Sequence, residues 1–82
     1  MNHTEALKAV LKLTGKTAAQ VGAELGMSSN STISMRINRK TAYLHNILEI
    51  LDVCGYEIVA MPKSSLRLPE DTFVLCKEDY ET

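Results

Sequence analysis

Residues 26–40, "GMSSNSTISMRINRK", set small hydroxyl and amide side chains directly before three cations. Ser28, Ser29, Asn30, Ser31, Thr32 and Ser34 come first, then Arg36, Arg39 and Lys40. The stretch reads as either a solvated loop or a short helix whose exposed face suits a polyanion. Ile33 and Ile37 decide for the helix. They lie four residues apart and share one helical face. Ser28, Ser29 and Asn30 are each acceptable N-caps. The spacing predicts a helix over about residues 29–38, with Asn30, Ser31, Ser34, Met35 and Arg36 spread over its outer faces.

Working back towards the N-terminus, "TAAQVGAELG" predicts a second short helix. Thr17 followed three residues later by Gln20 is a capping-box pattern. Ala18, Val21, Gly22 and Leu25 share one face, and Gly26 stops the helix. Glycine inside a helix costs about 1 kcal/mol relative to alanine, so Gly22 points to a close approach by another helix. Before it, Thr4 is the expected N-cap of a helix through "EALKAVLKL". Leu7, Val10 and Leu11 form its apolar stripe. Gly15 suits the left-handed position after that helix ends.

Working forward, Thr41 is the expected cap of a fourth helix, "AYLHNILEILDVC". Its stripe is Leu44, Ile47, Leu48 and Leu51. Ile50, Val53 and Cys54 widen it, so a second apolar side needs cover. Gly55 ends the helix. "YEIVAMP" then predicts a strand from Tyr56, Ile58, Val59 and Met61, closed by Pro62. "KSSLRLPED" reads as a loop and "TFVLCK" as a second strand. Two strands alone are marginal in water, so they must pack on the helices or pair with another chain. The tail "EDYET" is expected to fray.

The totals fit one small domain. Eighty-two residues with 45% apolar side chains make a globular chain, and one small enough to gain from sharing its core with a second copy. No apolar run approaches the roughly 18 residues of a membrane span, and "MNHTEALKAV" lacks the apolar stretch of a secretory signal. The cytoplasm is the expected compartment. Cys54 and Cys76, the two cysteines, form neither a metal spacing nor a disulfide framework.

The net charge of −1 hides an asymmetry. No acid occurs between Glu24 and Glu49, where Arg36, Arg39 and Lys40 lie. Residues 1–63 carry seven cations and five acids, whereas residues 64–82 carry two cations and five acids. The middle is basic and the tail acidic.

Two short capped helices around Gly26 suggest a helix-turn-helix. The major groove of B-DNA admits one α-helix, asparagine can pair with adenine, and serine or threonine can bond bases or phosphates. A helix N-terminus also favours phosphate. The stretch "TAAQVGAELGMSSNSTISMRINRK" resembles the Cro/repressor-type (XRE) helix-turn-helix family at Gly22, Gly26, Met27, Ser31, Thr32, Ile33 and Ser34. "LHNILEILDVCGYEIVAMP" resembles that family's closing helix and following strand. The resemblance covers about residues 4 to 62.

The chain departs from the family pattern twice. Gly26 and Ile33 are one residue further apart than is usual, and glycine replaces the commoner alanine at residue 22. One register puts the extra residue in the turn and buries Ile33 and Ile37. The other gives the core positions to Thr32 and Met35. The first is preferred, and it sets Asn30, Ser31 and Met35 nearest the bases.

The resemblance implies a mainly α fold. Residues 1–55 would form a four-helix, lambda-repressor-like helix-turn-helix domain. Residues 56–82 would add a strand or hairpin that pairs across the dimer, and the acidic tail, within the same unit. It implies a dimeric double-stranded-DNA-binding regulator, a repressor, with no cofactor. Candidate DNA-binding residues are Gln20, Ser29, Asn30, Ser31, Thr32, Ser34, Met35, Arg36, Arg39, Lys40 and Tyr43.

Six of these have a plainer role beside the DNA contact. Gln20 caps, Met35 covers core, Arg36 is solvated, Arg39 and Lys40 favour a helix C-terminus, and Tyr43 packs. The expected dimer interface is Ile50, Val53, Cys54, Tyr56, Ile58, Val59, Phe73 and Leu75. The competing reading is an antitoxin or protein–protein adaptor that uses the C-terminal hairpin and acidic tail. Enzyme activity is not expected. There is no nucleophile elbow, phosphate-cradling glycine loop or carboxylate pair, and His3 and His45 lack partners at ligand spacing.

Overall fold

A computed structural model describes residues 1–63 and 67–80. Four helices run in order: α1 His3–Thr14, α2 Ala18–Glu24, α3 Asn30–Asn38 and α4 Leu44–Val53. A one-turn 3-10 helix, Lys77–Tyr80, follows.

The core forms where the helical stripes meet. Leu7, Val10 and Leu11 of α1, Val21 of α2, Ile33 and Ile37 of α3, and Ile47, Ile50 and Leu51 of α4 are all buried, with Cys54 beside them. Ala18, Leu25, Met27, Ala42, Val53, Tyr56 and Phe73 pack around this cluster. Burial holds Cys54 as a neutral thiol by pushing its pKa up, against smaller opposing effects of the Thr14 hydroxyl and the Lys16 charge.

The α2–α3 pair carries the closest packing. A β-carbon on Gly22 would lie 3.2 Å from Ile33 Cγ2, so the missing side chain is what lets α3 lie against α2. The Thr17–Gln20 capping box forms as expected, with the Gln20 side chain accepting from the Thr17 N–H at 2.8 Å. Between the helices Gly26 takes φ +77°, and the Met27 N–H returns to the Gly22 carbonyl at 2.8 Å.

The N-cap of α1 is Asn2, not Thr4. Asn2 and Glu5 form a capping box, and Thr4 is taken by a distant partner: its hydroxyl donates to the Ile37 carbonyl at 2.6 Å. α4 starts at Leu44 rather than just after Thr41. Tyr43 stands at its N-cap with no side-chain capping bond. The inner face of α4 also differs from its sequence stripe. Ile47, Ile50 and Leu51 are buried, whereas Leu44 and Leu48 are exposed.

The two predicted strands are absent: among the described residues there is no strand or hairpin. Tyr56 donates its N–H to the Leu51 carbonyl and closes the end of α4. Residues 57–63 then run with no backbone hydrogen bond among the described residues. A strand needs a second backbone to pair with, and no described residue pairs with this segment. Residues 64–66 of the predicted "KSSLRLPED" loop, and Glu81 and Thr82 of the tail, lie outside the described residues.

The described part of the tail is docked. The Cys76 N–H donates to the Met1 carbonyl at 3.1 Å, and the terminal amine bonds the Val74 carbonyl at 3.3 Å and pairs with Asp79.

Candidate nucleic-acid interface

α3 is held from behind and below, which leaves its outer face open. Ile33 is fully buried and Ile37 is 3% exposed. The inward positions of α3 therefore go to Ile33 and Ile37, and Thr32 and Met35 are exposed. Ser29 is the N-cap and accepts from the Ser31 N–H at 3.3 Å; its hydroxyl also bonds that of Ser31 at 2.7 Å. Asn30, Ser31, Thr32, Ser34, Met35 and Asn38 are all exposed, and Met35 keeps 55% of its surface open. No acid lies on this helix.

The C-terminus of α3 is anchored by two side chains from the start of α1. The last carbonyls of a helix have no intrahelical donor. Thr4 donates to that of Ile37, and His3 Nε2 bonds that of Arg39 at 2.6 Å. His3 is 4% exposed. Its backbone N–H donates to the Tyr80 hydroxyl at 2.6 Å, its Nδ1 contacts the same oxygen at 2.9 Å, and the two rings stack. One proton arrangement satisfies every atom: Tyr80 Oη accepts from the His3 N–H and donates to Nδ1, and Nε2–H donates to Arg39. His3 and Tyr80 thus couple the tail, α1 and the end of α3.

Sequence reasoning gave His3 no role and saw Tyr80 only as part of a loose tail. The Asn2–Glu5 spacing was a capping-box signal that could have placed His3 at the start of α1. Nothing in the sequence links residue 3 to residue 80.

The basic residues divide into two kinds. Arg36 is half-buried, and its Nη1 lies 3.6 Å from a Glu49 carboxylate oxygen on α4 without reaching hydrogen-bonding geometry. The same carboxylate receives His45. The acid-free window of the sequence is therefore not acid-free in space. Arg39 and Lys40 are exposed and make no ion pair among the described residues. With Thr41, Ala42 and Tyr43 they line a shallow cleft after α3, and Tyr43 is 74% exposed. Gln20 is exposed on α2, its side-chain oxygen occupied by the capping box.

The candidate dimer residues do not form one face. Ile50 and Cys54 are buried inside the single chain, so neither can meet a partner; the core of α1 to α3 already covers that side of α4. Val53, Tyr56 and Phe73 are half-buried against that core, with the Tyr56 and Phe73 rings 6.4 Å apart. Ile58, Val59 and Leu75 are exposed.

Among the described residues no helix is long and apolar enough to cross a membrane. No family model, curated protein or solved structure matches the chain.

Proposed function

We propose that the protein is a sequence-specific double-stranded-DNA-binding regulator, a dimeric repressor that reads the major groove with α3. The observation that carries this reading is the division of α3. One face is locked by Ile33, Ile37 and the Gly22 contact, and the other exposes Asn30, Ser31, Ser34 and Met35 beside Arg39 and Lys40, cations with no ion pair among the described residues. Small polar side chains at the start of such a helix allow close approach to base edges, while Arg39, Lys40 and Tyr43 suit phosphates. A dimer would set two such helices about 34 Å apart, matching successive major grooves. It would act by occluding a promoter.

Selection from a random duplex library at near-physiological salt, followed by titration of the winners, tests this. A palindromic winner bound far more tightly than scrambled DNA supports it. No enrichment, with only weak salt-sensitive binding, refutes it.

A second reading is favoured by a different observation. Leu68, Val74 and Leu75 are exposed near the C-terminus, as are Ile58, Val59 and Met61. An antitoxin or adaptor would use such a surface to hold another protein. Leu68→Ser and Val74→Ser separate the two readings, because they would release a protein partner while leaving DNA binding intact.

A further inference from the structure

Met1 carries a terminal amine, and His3 stands two residues beyond it. That spacing puts four nitrogens on one short piece of chain: the amine, the Asn2 and His3 amides, and His3 Nδ1. Wrapped round one ion they form fused chelate rings and a square of nitrogens, the arrangement that Cu(II) and Ni(II) favour. No group of three histidine, cysteine or carboxylate side chains gathers round a common point among the described residues. A metal here draws on backbone nitrogens instead.

Two of the four nitrogens already close on a single atom. The His3 N–H donates to Tyr80 Oη at 2.6 Å, and His3 Nδ1 meets the same oxygen at 2.9 Å. The bite that holds this oxygen is the bite that would hold an ion. Nε2 is taken by the Arg39 carbonyl at 2.6 Å, which leaves Nδ1 with the lone pair. A backbone carbonyl on the far ring nitrogen is also a usual support of a metal-bound histidine. The two amides suit the same chemistry, because the first N–H groups of a helix have no intrahelical acceptor. That of Asn2 lies 3.4 Å from Glu5 Oε1, and that of His3 is the one facing Tyr80.

We infer that Met1, Asn2 and His3 form a four-nitrogen site for Cu(II), and that the docked tail covers it. The site does not depend on DNA recognition. In the structure it is closed in three places. Asp79 and the Val74 carbonyl hold the amine. Tyr80 holds His3. Asn2, with ψ 174°, keeps its own nitrogen and that of His3 on opposite sides of its Cα–C bond, whereas a chelate ring needs them on the same side. The ion therefore binds a state in which Asn2 has turned out of its cap and Tyr80 has left His3. On binding it displaces one proton from the ammonium and one from each amide, and these pass to the buffer. Its apparent affinity is the intrinsic affinity scaled by the open fraction. Whatever loosens the tail tightens the metal, and the metal in turn frees the tail.

Titration of the full-length chain with Cu(II) alone, at neutral pH in a buffer that does not bind copper, tests this. A one-to-one complex should form with the visible ligand-field band of a four-nitrogen square, and hydrogen exchange should quicken across residues 77–80. His3→Ala should lose the band. Asn2→Pro should lose it too, because proline has no amide proton to give up. One glycine placed before Met1 moves His3 a residue further from the amine and should cost most of the affinity while keeping every side chain. His45→Ala should bind as the wild type does. Tyr80→Phe should bind about tenfold more tightly, since the hydroxyl that closes the site is gone.

Circular dichroism checks the fold of each variant, and the glycine-extended chain decides the matter if His3→Ala does not fold. No four-nitrogen band, or an affinity that survives His3→Ala or the added glycine, overturns the site. Equal affinity in Tyr80→Phe and the wild type, with unchanged exchange at residues 77–80, overturns its cover by the tail.

Discussion

Gly22 and Ile33 are in a contact that only a missing side chain permits, with a β-carbon on residue 22 placed 3.2 Å from Ile33 Cγ2. Ile33 is fully buried and β-branched, so it has little freedom to yield. Gly22→Ala would gain about 1 kcal/mol of helix propensity and lose a similar amount in crowding, leaving stability nearly unchanged. Gly22→Val adds two further methyls, and should destabilise by about 1–3 kcal/mol and tilt α3 away from α2. Urea denaturation of the two variants checks the contrast.

Tyr80 and His3 lead to a prediction that involves no residue of the presenting face. Tyr80→Phe removes the hydroxyl that serves both the His3 N–H and Nδ1. Leaving buried polar groups unsatisfied costs about 1–3 kcal/mol. The variant should lose stability in that range in denaturant titration, and hydrogen exchange should quicken at the start of α1.

The terminal amine adds a pH dependence. Its bond to Asp79 raises its pKa above the ordinary 8.0, against a smaller lowering from burial. A raised folded-state pKa gives stability that is complete below the unfolded value and fades as pH rises through the folded value. Docking of the 3-10 helix should therefore loosen above about pH 8. Asp79→Asn should remove this dependence, as followed by fluorescence of Tyr80 or by hydrogen exchange across residues 77–80.

The cations of the presenting region should differ in their effect on DNA. Arg39→Ala and Lys40→Ala should each lower the salt slope of binding by about one. Glu49 sits on Arg36 and neutralises it in part, so Glu49→Gln should strengthen binding severalfold at low salt while costing no more than about 1 kcal/mol of stability. An unchanged affinity for Glu49→Gln would remove Arg36 from the interface.

Asn30 makes no hydrogen bond through its side chain among the described residues, so Asn30→Ala should leave folding stability within about 0.5 kcal/mol. Binding to a preferred duplex should fall by about 1–3 kcal/mol, and binding to scrambled DNA should hardly change. Equal losses on both would assign Asn30 to positioning rather than reading.

Within α2 and α3 much was legible from the residues alone. The Thr17–Gln20 capping box, the close approach at Gly22, the stop at Gly26 and the burial of Ile33 and Ile37 all involve partners within a few residues, or one helical face. Periodicity and capping chemistry are local, so they survive in sequence. The inner face of α4 was less legible, because its apolar residues wrap more than one side. Which of them turn inwards depends on where α1, α2 and α3 stand, and these bury Ile50 and leave Leu44 and Leu48 out.

The amino-acid sequence therefore determined where the four helices lie and which face of α3 is free, through bonds and stripes spanning three or four residues. Tertiary structure decided the rest. It took Thr4 from its expected cap to the Ile37 carbonyl, joined His3 to Tyr80 across 77 residues, and brought Glu49 to Arg36. It also left residues 57–63 without a strand partner among the described residues. In each case the competing partners are far apart along the chain, and only the packing of the helices sets which of them come within hydrogen-bonding distance.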